Sequence, residues 1–294
     1  MKLAAIDIGS NAARLLISEV IQGTEEPEVN KLNLFRVPLR LGFDVFEYQR
    51  ISEEKIQMME ETLLAFRHLL SAYQIEHCIA CATSAMRDAS NASEIIKRMK
   101  QKTGINIEVI SGDMEANLIY ENHVAEHLDK EHDYLYIDVG GGSTELSFFQ
   151  NGQLRQKKSF NIGTIRLLKD VVKESEWTEM KDFCKLVERS SKEIIAIGSG
   201  GNINKIFSLS KKKEGKPLGI EMLRDYHREF SSVSLTERIN KYKLREDRAD
   251  VIVPALQIYV QVMKWAGAAD IFVPKIGLAD GLIRHLWDEL LAKS

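Results

Sequence analysis

Three cysteines in 294 residues are too few for a disulfide framework. Cys78 and Cys81 form a C-x-x-C, but only Cys184 remains to complete a zinc site. The stretch around the pair reads as buried strand, so all three are expected to be ordinary core thiols. Long apolar runs are also missing. None reaches the length needed to span a bilayer, and the amino terminus enters a strand pattern with no secretory signature, so no membrane partner and a cytoplasmic location are expected. Excess charge of one sign is absent too: a formal net charge of −3 argues against binding a nucleic-acid polymer, leaving only local basic patches. No low-complexity segment or long linker interrupts the chain. The remaining composition, 44% hydrophobic and 28% charged, is ordinary for a globular protein and long enough for two domains with their own cores.

The most informative stretch runs from Tyr134 to Phe149. Tyr134 to Val139 and Thr144 to Phe149 are rich in strand formers and flank Gly140, Gly141 and Gly142, the pattern of a hairpin. Three glycines exceed what a tight turn needs. Without Cβ atoms the backbone approaches a ligand closely, and successive N–H groups form an anion-binding concavity. Asp138 and Glu145 flank that nest. Phosphate on the amides and a hard cation on the carboxylates is the simplest chemistry that uses both.

The opening stretch Leu3 to Ile17 aligns on this one without gaps: Asp7 on Asp138, Gly9 on Gly140, Arg14 on Glu145. A motif that recurs in this way points to a duplicated domain, with the two hairpins facing one cleft. Between them, Lys31 to Leu41 reads as a strand, and a long amphipathic helix follows to about Tyr73 with Ser52 as its N-cap. Cys78 to Ala82 reads as a strand leading to Arg87, whose fork suits an oxyanion. A strand is expected over Ile105 to Ile110, then a helix with Asp113 and Glu115 in its first turn, where acids favoured by the helix dipole are the plain explanation. That helix is expected to run to Leu128. His123 and His127 have i,i+4 spacing on it but no third ligand, so they read as a helix face. Farther on, Ile194 to Asn202 repeats the apolar strand ending in glycines, so Gly200 and Gly201 mark a third place for backbone amides to meet phosphate. Arg245 to Val253 and Pro254 to Gly267 read as helices, and a closing helix runs through Leu290.

The chain resembles the exopolyphosphatase/guanosine pentaphosphate phosphohydrolase (Ppx/GppA) family, in its short form, from Ala4 to about Leu286. The resemblance rests on Ile6-Asp-Ile-Gly-Ser-Asn11, Ala82-Thr-Ser-Ala-Met-Arg87, Val109-Ile-Ser-Gly112 with Glu115-Ala116, Asp138-Val-Gly-Gly-Gly-Ser-Thr-Glu145, Gly198-Ser-Gly-Gly201 and Gly277-Leu-Ala-Asp-Gly281. It implies an α/β fold: two ribonuclease H-like domains of the actin–Hsp70–sugar kinase superfold around a central cleft. Their expected bounds are 1–122 and 123–294, with the closing helix free to pack on the first lobe. It also implies a Mg²⁺-dependent hydrolase, or one using another divalent cation, that acts on a terminal phosphoanhydride. Glu115 falls on the catalytic base, and Asp138 and Glu145 on catalytic and metal carboxylates. Asp7 holds the metal through water, and Ser10, Asn11, Arg87, Gly141, Gly142, Ser143, Gly200 and Gly201 bind phosphate. Met114, Ala12, Asn202, Ala279 and Asp280 depart from the family pattern.

The leading expectation is therefore an exopolyphosphatase, whose partner is a small-molecule polyanion and whose assembly leaves room for a homodimer. Guanosine pentaphosphate is the alternative substrate. Other readings are a non-catalytic nucleotide- or polyphosphate-binding regulator, and an ATPase or sugar kinase of the same superfold. Arg87, Arg155-Gln-Lys-Lys158 and the lysines from Lys211 to Lys216 would supply a cationic rail for a linear chain.

Overall fold

The computed structural model describes residues 1–22, 27–120, 131–188, 190, 192–274 and 276–293. The expected continuation of a helix to Leu128, with His123 and His127, lies outside them. The chain forms two compact units, Met1–Asn122 with Leu278–Ser294, and His123–Gly277.

The first unit runs β1 (Lys2–Ile8), β2 (Ala13–Ile21), β3 (Glu28–Val37), α1 (Leu41–Tyr48), α2 (Glu53–Ala72), β4 (His77–Ala82), α3 (Ser84–Asp88), α4 (Ala92–Thr103), β5 (Glu108–Val109) and α5 (Gly112–Tyr120). Its sheet has the order β3-β2-β1-β4-β5, antiparallel from β3 to β1 and parallel from β1 to β5. Leu3 to Ile6 and Ile8 are buried without alternation, because the central strand is covered on both faces. The closing helix Leu278–Leu291 packs on β1, β2, β4 and α5. β3 is the edge strand, and its polar, exposed pattern fits that place.

The second unit runs β6 (Asp133–Val139), β7 (Thr144–Gln150), β8 (Gln153–Phe160), α6 (Thr164–Leu168), α7 (Glu174–Glu188), β9 (Ile194–Ser199), α8 (Gly201–Ser210), β10 (Leu218–Gly219), α9 (Ile220–Ser231), α10 (Leu235–Tyr242), α11 (Glu246–Ala249), α12 (Ile252–Ala266) and β11 (Asp270–Phe272). Its sheet order, β8-β7-β6-β9-β11-β10, repeats the first sheet's pattern and adds one antiparallel strand. The repetition reaches the irregularities. β2 and β3 slip register between Ile17 and Ser18, and β7 and β8 slip between Phe148 and Phe149, the positions that align. These are the two mixed α/β sheets of the ribonuclease H-like pair. In the second unit α12 lies over β6 and fills the core with Ile258, Tyr259 and Val262.

Several expectations need correction. The strand expected to reach Leu41 ends at Val37, because Pro38 has no N–H for a ladder, and Arg40 enters α1 with a left-handed φ of 53°. Ser52 does precede α2, but its side chain caps nothing; its N–H and hydroxyl go to the Asp44 carboxylate instead. The strand over Ile105 to Ile110 shrinks to Glu108–Val109. Cys78 is exposed while Cys81 and Cys184 are buried: a three-residue spacing on one strand sends the two thiols of the C-x-x-C to opposite faces. Arg245 to Val253 holds only the short α11 as helix before α12 starts. Helices α9 and α10 had no counterpart in the sequence reading.

Candidate active site

In the second unit, Asp138 on β6 stands directly opposite Glu145 on β7. Residues paired across strands share a face, so the two carboxylates lie side by side. Glu145 is buried, and its Oε1 accepts from the Ser159 hydroxyl at 2.8 Å. The turn between them closes with Gly140 N–H donating to the Ser143 carbonyl at 2.9 Å. Its other carbonyls are all drawn backward. Thr164 N–H donates to Gly140 O, Ile165 N–H to Gly141 O, and Arg166 Nε to Gly142 O, at 3.0, 2.8 and 2.7 Å. The N–H groups of Gly141, Gly142 and Ser143 donate to no described residue. A loop with its carbonyls tied down and its amides unspent has the polarity of an anion site. Gly163 makes this possible: a Cβ there would sit 2.5 Å from the Gly141 oxygen.

The strand β9 brings a second glycine turn to the same place. Gly200 has φ 108°, and a Cβ on it would lie 3.2 Å from Asp138 Oδ1. A side chain on Gly201 would strike the Arg248 guanidinium at 2.8 Å. Beneath the turn, the Tyr259 hydroxyl donates to the Ser199 carbonyl.

In the first unit, Asp7 on β1 stands opposite Arg14 on β2, and the two form an ion pair at 2.6 Å through Oδ2. The turn closes with Gly9 N–H on Ala12 O at 3.0 Å, while Gly42 N–H takes Ser10 O and Arg40 N–H takes Asn11 O. The Ser10 hydroxyl bonds with that of Ser84 at 2.8 Å. Ser111 Oγ accepts from Met114 N–H at 3.1 Å and so caps α5, which carries the buried Glu115 in its first turn. The Cys81 thiol is pushed well above its ordinary range by burial and then by the carboxylates of Asp7, Glu115 and Glu108. Arg87 Nη1 donates to the Ile110 carbonyl at 2.8 Å, which fixes the guanidinium beside the entry to α5 and leaves Nε and Nη2.

Each unit thus gathers its own share of the expected residues: Asp138, Gly141, Gly142, Ser143, Glu145, Gly200 and Gly201 in one, Asp7, Ser10, Asn11, Arg87 and Glu115 in the other. Sequence reasoning missed Gly163, Arg248, Ser199 and Tyr259. Gly163 stood in plain view before a helix. Arg248 was hidden in the charged run Arg245 to Asp250, which reads as a solvated helix face. The proposed cationic rail is thinner than expected, since Lys158 pairs with Glu179 at 2.6 Å and the Lys212 ammonium is turned to the Pro217 carbonyl.

No group of three or more His, Cys, Asp or Glu gathers in metal-holding geometry among the described residues. The carboxylate pair of the second unit nonetheless fits a hard cation such as magnesium. That ion takes oxygen ligands, needs only one or two carboxylates and keeps several waters. Among the described residues no helix is long and apolar enough to cross a membrane.

A duplicated mixed-sheet α/β protein, with an acid-bearing glycine hairpin in each half, belongs to the class of phosphate-handling two-domain folds. Within that class, the model of the Ppx/GppA phosphatase family matches residues 20–289. The chain belongs to this family, and the enzyme class expected from the sequence, a phosphoanhydride hydrolase, is the family's class. It is similar to a bifunctional 3-dehydroquinate synthase/phosphatase of Fusobacterium nucleatum, 28% identical over 92% of this chain and 44% of that protein. It is also similar to a guanosine-5′-triphosphate,3′-diphosphate pyrophosphatase of Pseudoalteromonas translucida, 27% identical over 96% of this chain and 57% of that protein. The chain thus spans about half the length of the curated relatives it matches. Among solved structures, an exopolyphosphatase from Cytophaga hutchinsonii superposes with a TM-score of 0.83 at 25% identity, covering 98% of both chains. A Ppx/GppA family member from Aquifex aeolicus gives 0.75 at 26%, covering 100% of this chain and 99% of its own.

Proposed function

We propose that the protein is an exopolyphosphatase, which hydrolyses the terminal phosphoanhydride of inorganic polyphosphate and releases orthophosphate. The observation that carries this reading is the second hairpin, where the half-buried Asp138 and the buried Glu145 stand opposite each other beside a turn with unspent amides. Asp138 and Glu145 would hold Mg²⁺, with Asp7 reaching it through water. The ion supplies charge neutralisation on the transferred and leaving oxygens. The amides of Gly141, Gly142 and Ser143 grip the oxygens of the terminal phosphate, and the remaining N–H groups of Arg87 offer it a fork. Ser10, Asn11, Gly200 and Gly201 line the phosphate chain. Glu115 takes the proton of the attacking water, a role suited to a buried carboxylate at the start of a helix.

Polyphosphate is favoured over guanosine pentaphosphate by the end-to-end likeness to a solved exopolyphosphatase. Guanosine pentaphosphate is the alternative, through the same residues. The deciding assay is orthophosphate release from long polyphosphate, guanosine pentaphosphate, ATP and an ATP–sugar pair, each with and without Mg²⁺. A kcat/KM favouring guanosine pentaphosphate overturns the substrate assignment. Binding without phosphate release from any of them points to the regulator reading.

A further inference from the structure

Ser199 ends β9 in register with Asp138, so its side chain shares the face that carries Asp138 and Glu145. It is completely buried, and its hydroxyl meets no hydrogen-bond partner among the described residues. A buried hydroxyl without a partner destabilises a fold, and trimming it to alanine relieves that cost. Its persistence next to a carboxylate pair calls for a use outside stability. Tyr259, buried in the core of α12, donates its phenolic O–H to the carbonyl of this same serine. A Cβ on Gly200 would lie 3.2 Å from Asp138 Oδ1 and 3.6 Å from the Tyr259 hydroxyl. Carboxylate, glycine turn and phenol are therefore one packed cluster.

We infer that Ser199, held in place by Tyr259, is a positioning residue of the cation site. Its hydroxyl turns to donate to the Asp138 carboxylate when a divalent cation draws on that group, and so fixes which oxygen faces the ion. The inference rests on the reading of Asp138 and Glu145 as the cation-holding pair. Groups that orient a ligating carboxylate in this way typically change metal affinity by about 10- to 100-fold.

The test is Mg²⁺ binding to the full chain by calorimetry, read beside the metal-free Tm and phosphate release. Ser199→Ala is expected to raise the metal-free Tm, because an orphaned polar group is gone, while the Kd for Mg²⁺ rises by about 10- to 100-fold. Saturating Mg²⁺ should restore most of the variant's turnover. Tyr259→Phe keeps the ring and should weaken Mg²⁺ binding in the same direction by less. Opposite signs for stability and affinity in Ser199→Ala are what a purely structural serine does not produce. If that variant binds Mg²⁺ as the unmodified protein does, or loses Tm and affinity together, the inference falls and the proposed function stands. If the unmodified protein binds no Mg²⁺, both fall.

Discussion

The two glycine hairpins share a backbone and differ in charge. Gly9 to Ala12 and Gly140 to Ser143 are closed by the same N–H to carbonyl bond, at 3.0 and 2.9 Å. In each, a segment following the third strand ties the turn's carbonyls backward, and both sheets slip at the aligned position two turns of pleat away. Across the strands, the first row reads Asp7, Arg14, Arg36 and the second Asp138, Glu145, Ser159. One row carries an excess cation; the other sets two carboxylates directly opposite each other. The duplicated scaffold thus carries an acid–arginine row in one half and a carboxylate pair beside an amide nest in the other. The backbone geometry of the turn is what the two halves share. The side chains were free to diverge.

This comparison breaks most easily at its acids. Glu115→Gln, in the first unit, should lower kcat by about 10²- to 10⁴-fold with substrate binding retained, since the amide keeps shape without basicity. Turnover near that of the unmodified enzyme would put the base elsewhere. Asp138→Asn and Glu145→Gln should instead shift the Mg²⁺ titration midpoint upward by roughly tenfold or more, with Asp7→Asn moving it less. Should all three shift it equally, the division of labour between the hairpins is wrong. Removing Arg14, by Arg14→Met, leaves the Asp7 carboxylate buried without its partner. The guanidinium side is one-third exposed, so a loss of about 1–3 kcal/mol in urea unfolding is expected rather than the full cost of a buried pair. An unchanged midpoint would mean that the Asp7–Arg14 pair contributes nothing measurable to stability. The smallest effect belongs to the surface lysines. Neutralising Lys211, Lys212 and Lys213 together should raise KM for long polyphosphate a few-fold and for tripolyphosphate less, an effect that fades with salt. Equal shifts for both chain lengths would remove them from the substrate path.

Both hairpins were legible because strand, turn and strand are contiguous in the chain, and the spacing from Asp7 to Arg14 repeats that from Asp138 to Glu145. Short-range signals also located α2 and the closing helix. They failed where a local preference met a tertiary competitor. Ser52 looks like a cap until Asp44 claims its hydroxyl and N–H. Cys78 looks like core until the strand's alternation turns it outward.

What the sequence determined by itself is the chemistry at hand: a repeated acid, glycines that let amides be exposed, and a glutamate opening a helix. Those properties depend on residue type and near-neighbour spacing, and both are written along the chain. What only the tertiary structure decided is who stands beside whom at long range. Ser199 and Tyr259 sit 60 residues apart and are joined by one hydrogen bond, and Gly163 presses on a turn formed some 20 residues earlier. Local pattern places Gly163 before a helix and Ser199 within a glycine motif but does not mark these long-range pairings, because the forces that make them are close packing and the need to satisfy buried polar groups. Both act only once the sheet has brought the strand ends together.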